Sequence, residues 1–237
     1  MQAIPSSNGI RVARPLDPEQ PAVLLLPAIA GINPYIASRA ETLAGQGYNV
    51  LALDYFWREG QAPDISTPEK IGAAVAALDD RQVAADIDAA LDWLSAQGIA
   101  ASRVATLGFC IGGTYSILAA ARASLGCAID YYGQLQLPES ASKPVSPTRV
   151  AATLRCPLLC HYGDWDRLVS AKDIAGFVQN LREGQRPYEL LTFQGAPHAF
   201  DEFHRPQVFR PVASHQAWQA SLRFLDWHLR GCQQPAH

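Results

Sequence analysis

The chain carries no basic stripe. Its 19 lysines and arginines stand against 22 aspartates and glutamates, giving a net charge of −3 with the histidines neutral. Without a cationic face, or basic residues interleaved with aromatics, nucleic acid is excluded as an expected partner. No apolar run approaches the ~18 residues of a membrane span, so no membrane partner is expected. Met1–Ser7 lacks a basic segment leading into an apolar core, and no signal peptide is expected. The five cysteines, Cys110, Cys127, Cys156, Cys160 and Cys232, are odd in number and irregularly spaced, which argues against a disulfide framework and for the reducing cytoplasm. Cys156, Cys160 and His161 come nearest to a metal cluster, but no second ligand pair follows at zinc spacing. They read as buried strand residues, and neither a metal nor a cofactor is expected.

About half of the 237 residues are apolar, enough for one domain with a substantial core spanning 1–237. Short apolar runs alternate with longer amphipathic stretches. Strands are expected at 22–26, 48–53, 104–107, 127–132, 157–162 and 188–193. Helical patterns cover 34–45, 68–96, 113–123, 171–182 and 213–229. In the second of these Val83, Ile87, Ala90, Leu91 and Leu94 share one face. The Pro- and Ser-rich stretch 134–149 reads as an irregular connection. This alternation predicts an α/β fold, a mostly parallel central sheet with helices on both faces. Its chemistry is expected beyond the carboxyl ends of the strands.

The most specific local feature is Gly108-Phe109-Cys110-Ile111-Gly112-Gly113, directly after the strand at 104–107. A reactive side chain on a sharp strand-to-helix turn needs small neighbours, which Gly108 and Gly112 provide; Gly113 lets the following helix pack closely. The N-terminus of that helix favours a thiolate at Cys110. Two further strand-end segments carry suitable groups: His161-Tyr162-Gly163-Asp164-Trp165-Asp166 and Gln194-Gly195-Ala196-Pro197-His198-Ala199-Phe200. Nucleophile, acid, histidine is the chain order of α/β-hydrolases. A histidine beside Cys110 would hold it as an ion pair, and a carboxylate on the far ring nitrogen would fix the tautomer. Each member has an ordinary alternative: Cys110 a small buried residue, Asp164 and Asp166 local turn acceptors, His198 a polar loop residue. A dinucleotide-binding reading, with Asp130 as a ribose acid, fails because Cys110 stands where the second glycine of G-x-G-x-x-G belongs.

The sequence resembles the dienelactone hydrolase family of α/β-hydrolases from Leu24 to about Leu229, through the cysteine elbow, Tyr131-Tyr132-Gly133, Gly163-Asp164-Trp165-Asp166 and His198-Ala199-Phe200. The resemblance implies Cys110 as nucleophile, Asp166 rather than Asp164 as acid, and His198 as base. It also implies an oxyanion hole from the backbone N–H groups of Ile111 and Ile29. The implied activity is hydrolysis of a small ester or lactone through an acyl-enzyme, by a monomer or homodimer.

Two positions depart from the family. Where it has a glutamate that helps activate the resting thiol, this chain has Ala28. Where it has an arginine shortly after the histidine, this chain has Glu202, and the other expected clamp arginine is missing near 68–70. Arg58 and Arg205 are substitutes if they reach the site; a solvated surface position is the alternative. Phe56, Trp57, Trp165 and Phe200 stand in strand-end loops, as walls of a substrate site or as packing anchors. The departures keep one competing function in view, a degenerate fold that binds a ligand or senses redox state through Cys110.

Overall fold

The structure is a computed structural model that describes residues 2–3 and 9–231; Cys232 lies outside them. Two short strands, β1 (Gln2–Ala3) and β2 (Ile10–Val12), open the chain. Then follow β3 (Ala22–Leu26), α1 (Pro34–Gly45), β4 (Asn49–Leu53), α2 (Pro68–Ala77), α3 (Asp80–Ala96), β5 (Val104–Phe109), α4 (Ile111–Arg122) and β6 (Cys127–Tyr131). The short α5 (Pro147–Val150), β7 (Leu158–Gly163), α6 (Ala171–Glu183), β8 (Tyr188–Phe193) and α7 (Pro211–Arg230) complete it.

Among the described residues the strands form one sheet in the order β1-β2-β4-β3-β5-β6-β7-β8. From β4 to β8 every pairing is parallel, while β1 and β2 pair antiparallel at one edge. The chain lays β4 on one side of β3 and then crosses back to place β5 on the other. That reversal is the switch point at which α/β sheets gather their chemistry.

The all-buried strands are apolar on both faces because both faces are covered. Leu24, Leu51, Val104 and Leu158 point to the side of α3, α4 and α6, with Val83, Ile87, Leu94, Ile117, Phe177 and Leu181. Their strand neighbours Val23, Leu25, Val50, Leu107, Ile129 and Leu159 point to the side of α1 and α7, with Ile36, Leu43, Trp218 and Leu225. Period-two alternation thus sorts each strand between two cores.

Two expectations need correction. The helical pattern over 68–96 is two helices, because Leu78 is extended (φ −64°, ψ 128°) and the Asp79 side chain accepts the Arg81 N–H to start α3 afresh. Helix α2 buries no side chain fully, so its weak apolar face gives no reason to continue the α3 axis. The stretch 134–149 is largely irregular but ends in α5, started by Pro147 at its first turn. Lys143 from this connection is buried, its Nζ 2.8 Å from Asp80 Oδ1 and 2.7 Å from the Leu78 carbonyl. No helix among the described residues is long and apolar enough to cross a membrane.

His161 lies inside the core rather than beside a metal ligand set. Its Nε2 is 2.9 Å from Ser221 Oγ, which is 2.8 Å from Tyr131 Oη, so α7 is pinned to β6 and β7. Burial pushes its pKa down to about 3. The unfolded chain therefore takes up a proton below ~6.5 that the folded chain refuses, and stability falls as pH drops from there toward 3. Asp130, pushed up to about 7 by burial, acts in the opposite sense and destabilises as pH rises through the same window. His161→Gln is expected to remove the first contribution alone, worth on the order of 4 kcal/mol across the window. In thermal melts between pH 4 and 7 its midpoint should drop less steeply than that of wild type on acidification; equal slopes would contradict the assignment.

Candidate active site

Cys110 occupies the N-cap position of α4 with φ 56° and ψ −120°, and its side chain caps nothing. A non-glycine residue held at positive φ is strained, which is what an elbow that thrusts its side chain off the sheet requires. The strain is held by backbone bonds on both sides. Cys110 N–H donates to the Tyr131 carbonyl at 3.0 Å, and its own carbonyl accepts from Gly113 and Thr114 at 2.9 and 3.2 Å. The glycines are sterically forced: a Cβ on Gly108 would lie 1.9 Å from the Gly112 carbonyl oxygen, and one on Gly112 would lie 2.0 Å from that of Leu26. Tyr132 (φ 47°), after β6, and Ala199 (φ 63°), after β8, are strained in the same way at the same sheet edge.

His198 and Asp166 come together as a pair, with Nδ1 2.8 Å from Asp166 Oδ2. The second carboxylate oxygen accepts the Leu168 N–H at 2.8 Å, so the acid is fixed from both ends. Asp164, which spacing alone did not separate from Asp166, turns away to accept the Gly195 N–H at 2.6 Å. Tyr132 packs edge-on against the His198 ring at 5.1 Å. The other nitrogen, Nε2, is buried and unpartnered within the protein. Burial alone would lower the pKa of this ring. The electrostatic influence of Cys110 and the hydrogen bond to Asp166 outweigh it and push the value up to about 10.

β3 pairs with β5 so that Leu26 is level with Gly108, which brings the loop 27–31 past the elbow. Ile29 and Ile111 are both buried there. Ile111 opens α4, so its N–H has no acceptor within the helix. Ala28, half-buried in that loop, offers no carboxylate.

A cleft of about 650 Å³ opens beside His198 and Asp166, walled by Trp165, Leu168, Pro197, Val208, Arg167 and Arg205. Trp165 is 66 % exposed and available to a ligand. Glu202 is buried and bound by Arg205 at 3.0 Å, so the acid at the position expected to hold a clamp arginine is neutralised by a neighbouring one. Arg58 does not reach this cleft. It grips Asp86 through two bonds of 2.6 and 2.8 Å and stacks over Trp57 at 4.2 Å. Phe56 lines a second cavity of about 450 Å³, bounded by Tyr55, Leu78 and residues of α2. Phe200 is fully buried, 5.4 Å from Tyr132 and 5.1 Å from Phe193, and is a packing anchor, not a cleft wall. Trp57 packs against Gly9, where a Cβ would lie 2.2 Å from its ring.

Three supporting groups were given no role at this site from the sequence. Asp130 is no ribose acid: it is buried beneath the elbow, where it accepts the Gly133 N–H at 2.8 Å and the Tyr162 hydroxyl. Asp201, three residues past His198, is clamped by Arg39, Tyr35 and Ser214. Tyr55 carries a buried, unpartnered hydroxyl in the core cluster that also holds Ile29. An acid or tyrosine flanking a motif was the only available signal, and it does not separate these from surface residues.

Known proteins share the fold and much of the sequence of this chain. The family model for the dienelactone hydrolase family matches residues 9–229. A Bradyrhizobium protein, described as a probable 2-oxo-3-(5-oxofuran-2-ylidene)propanoate lactonase, is 42 % identical over 213 residues, covering 89 % of this chain and 85 % of the relative. A carboxymethylenebutenolidase of Rhodococcus opacus is 30 % identical over 213 residues, covering 87 % and 81 %. A crystal structure from Klebsiella pneumoniae, assigned provisionally to the dienelactone hydrolases, superposes with a TM-score of 0.82 at 29 % identity, covering 90 % of each chain.

Proposed function

The chain belongs to the dienelactone hydrolase family, and on that premise we propose that it hydrolyses a small ester or lactone through a cysteine acyl-enzyme. Cys110 is the nucleophile, His198 the acid–base and Asp166 the acid that orients it. The observation that carries this reading is His198 itself, tied to Asp166 at 2.8 Å through one nitrogen while the other is buried, unpartnered and under the influence of Cys110.

Transfer of the Cys110 proton to His198 Nε2 gives a thiolate–imidazolium pair. The sulfur attacks the carbonyl carbon, and the C=O electron pair moves to oxygen, where the Ile29 and Ile111 N–H groups receive it. Collapse expels the alkoxide, which takes the proton from Nε2; in a lactone it stays tethered to the acyl chain. Water then attacks the thioester, giving its proton to Nε2, and the thiolate leaves. With Ala28 in place of a carboxylate, His198 alone handles the Cys110 proton. The cleft beside His198 has apolar Trp165 and Leu168 with Arg167 and Asp164, while its Arg205 is engaged by Glu202. A small lactone, the kind of molecule named for the Bradyrhizobium relative, is the substrate class this reading favours.

Selective alkylation tests the reading. Burial pushes the thiols of Cys127 and Cys160 up and that of Cys156 up to about 12, so these resist iodoacetamide near neutral pH. In a Cys232→Ser background, one carboxamidomethyl group on Cys110, located by peptide mapping, is expected to abolish turnover of short-chain p-nitrophenyl esters and of a butenolide. Turnover that survives complete labelling of Cys110 would contradict it.

A further inference from the structure

Five tyrosine hydroxyls in or beside the core are occupied. Tyr35 bonds to Asp201, Tyr48 to Asp226, Tyr115 to Asp80, Tyr131 to Ser221 and Tyr162 to Asp130. Tyr55 breaks the pattern. It is 5 % exposed, and its hydroxyl is buried with no partner. The rings of Phe56 and Tyr115 stand edge-on to it at 6.2 and 5.7 Å, and it belongs to the core cluster that also holds Leu78, Val83, Ile29 and Ile111. The Tyr132 hydroxyl also lacks a partner, but Tyr132 packs edge-on against the His198 ring at 5.1 Å, on the histidine side of the nucleophile, in the core that Cys110 also borders. An unmet buried hydroxyl costs stability, and its persistence calls for a ligand that satisfies it.

The sheet order says which ligand atom that is. Tyr55 follows the end of β4, Ile29 the end of β3 and Cys110 the end of β5, with β3 between the other two. At ~4.8 Å per strand, the ends of β4 and β5 are ~10 Å apart, so Tyr55 approaches Cys110 across the Ile29 loop. His198 and Asp166 approach from the other side, after β8 and β7. In a tetrahedral intermediate the leaving group faces the histidine, and the oxygen that gains charge faces away from it, toward Ile29 and Tyr55. Burial, with Cys110 nearby, pushes the phenol's pKa well up, so the hydroxyl keeps its proton and can donate.

We infer that the Tyr55 hydroxyl is a third donor to the oxyanion, joining the Ile29 and Ile111 backbone N–H groups. This rests on the assignment of Cys110 as nucleophile. No proton is transferred: the hydrogen stays on Oη, and the bond strengthens as negative charge gathers on the substrate oxygen.

The test compares wild type, Tyr55→Phe and Cys110→Ala on p-nitrophenyl acetate and a butenolide, alongside thermal melts and the pH profile of Cys110 alkylation. Tyr55→Phe is expected to lower kcat about 100-fold with KM changed less than about threefold. Its melting temperature should stay level or rise, because an unpaired polar atom is removed, and the alkylation profile should not move. Undiminished kcat in Tyr55→Phe, with turnover lost in Cys110→Ala, overturns the Tyr55 assignment alone. A shift of the alkylation profile in Tyr55→Phe overturns it too, by placing the hydroxyl on the resting sulfur. Full turnover in both variants overturns the cysteine reading and the assignment with it.

Discussion

Cys110→Ala and His198→Ala are each expected to lower kcat on a p-nitrophenyl ester by on the order of ten-thousand- to million-fold, and the double variant by no more than the worse single one. The residues act as one unit, so removing either leaves only what the oxyanion donors and binding supply. Asp166→Asn is expected to cost less than His198→Ala, though still on the order of ten-thousand-fold, because Asp166 neither bonds to the substrate nor moves a proton. It holds Nδ1 at 2.8 Å, and on the proposed mechanism this leaves Nε2 for the sulfur. The same geometry sets an upper pH limit. With His198 pushed up to about 10, the imidazolium that protonates the leaving alkoxide survives to that pH and is lost above it. The rate profile for kcat/KM should therefore hold across neutral pH and fall near 10. A fall centred near 6.5 would mean that Cys110 does not charge the ring.

Arg39→Ala is expected to destabilise the fold by about 3–5 kcal/mol, lowering the melting temperature by roughly 10 °C for a chain of this size. The Asp201 side chain is completely buried, and Arg39 meets it through 2.7 Å bonds to both of its carboxylate oxygens. The guanidinium is itself stacked on Trp218 at 4.3 Å. Removing the arginine strands a carboxylate that only Tyr35 and Ser214 still reach. Replacing both partners, as in Arg39→Met with Asp201→Leu, should cost less than Arg39→Ala, because no uncompensated charge remains. Since Asp201 lies three residues beyond His198, Arg39→Ala should also lower kcat by loosening the loop that carries the histidine. Chemical denaturation and turnover on the same samples measure both effects.

The sheet was legible in the sequence because both of its faces are covered: runs such as Ala22–Leu26 are apolar throughout and are interrupted by helices of clear period. The break between α2 and α3 was not, since both helices keep a helical apolar pattern and only the Asp79 cap divides them. Strands β1 and β2 escaped because a two- or three-residue edge strand carries too little alternation to detect. In the site, Cys110, Asp166 and His198 were readable as strand-end residues, and the geometry separates Asp166 from Asp164 by which group each carboxylate accepts from. The fates of Phe200 and Arg205 depend on side-chain direction in irregular loops, which no periodicity encodes. Tyr55 was hidden for a different reason: its distinguishing mark is a missing partner, and that exists only in three dimensions.

The measurement that bears most directly on the account is rapid-quench mass spectrometry of the wild-type enzyme mixed with p-nitrophenyl acetate. The account predicts a transient acetyl increment that maps to the peptide containing Cys110, is released by neutral hydroxylamine as a thioester is, and is absent from Cys110→Ala. An acetyl group on any other residue, or full turnover with no covalent species at any quench time, would contradict it.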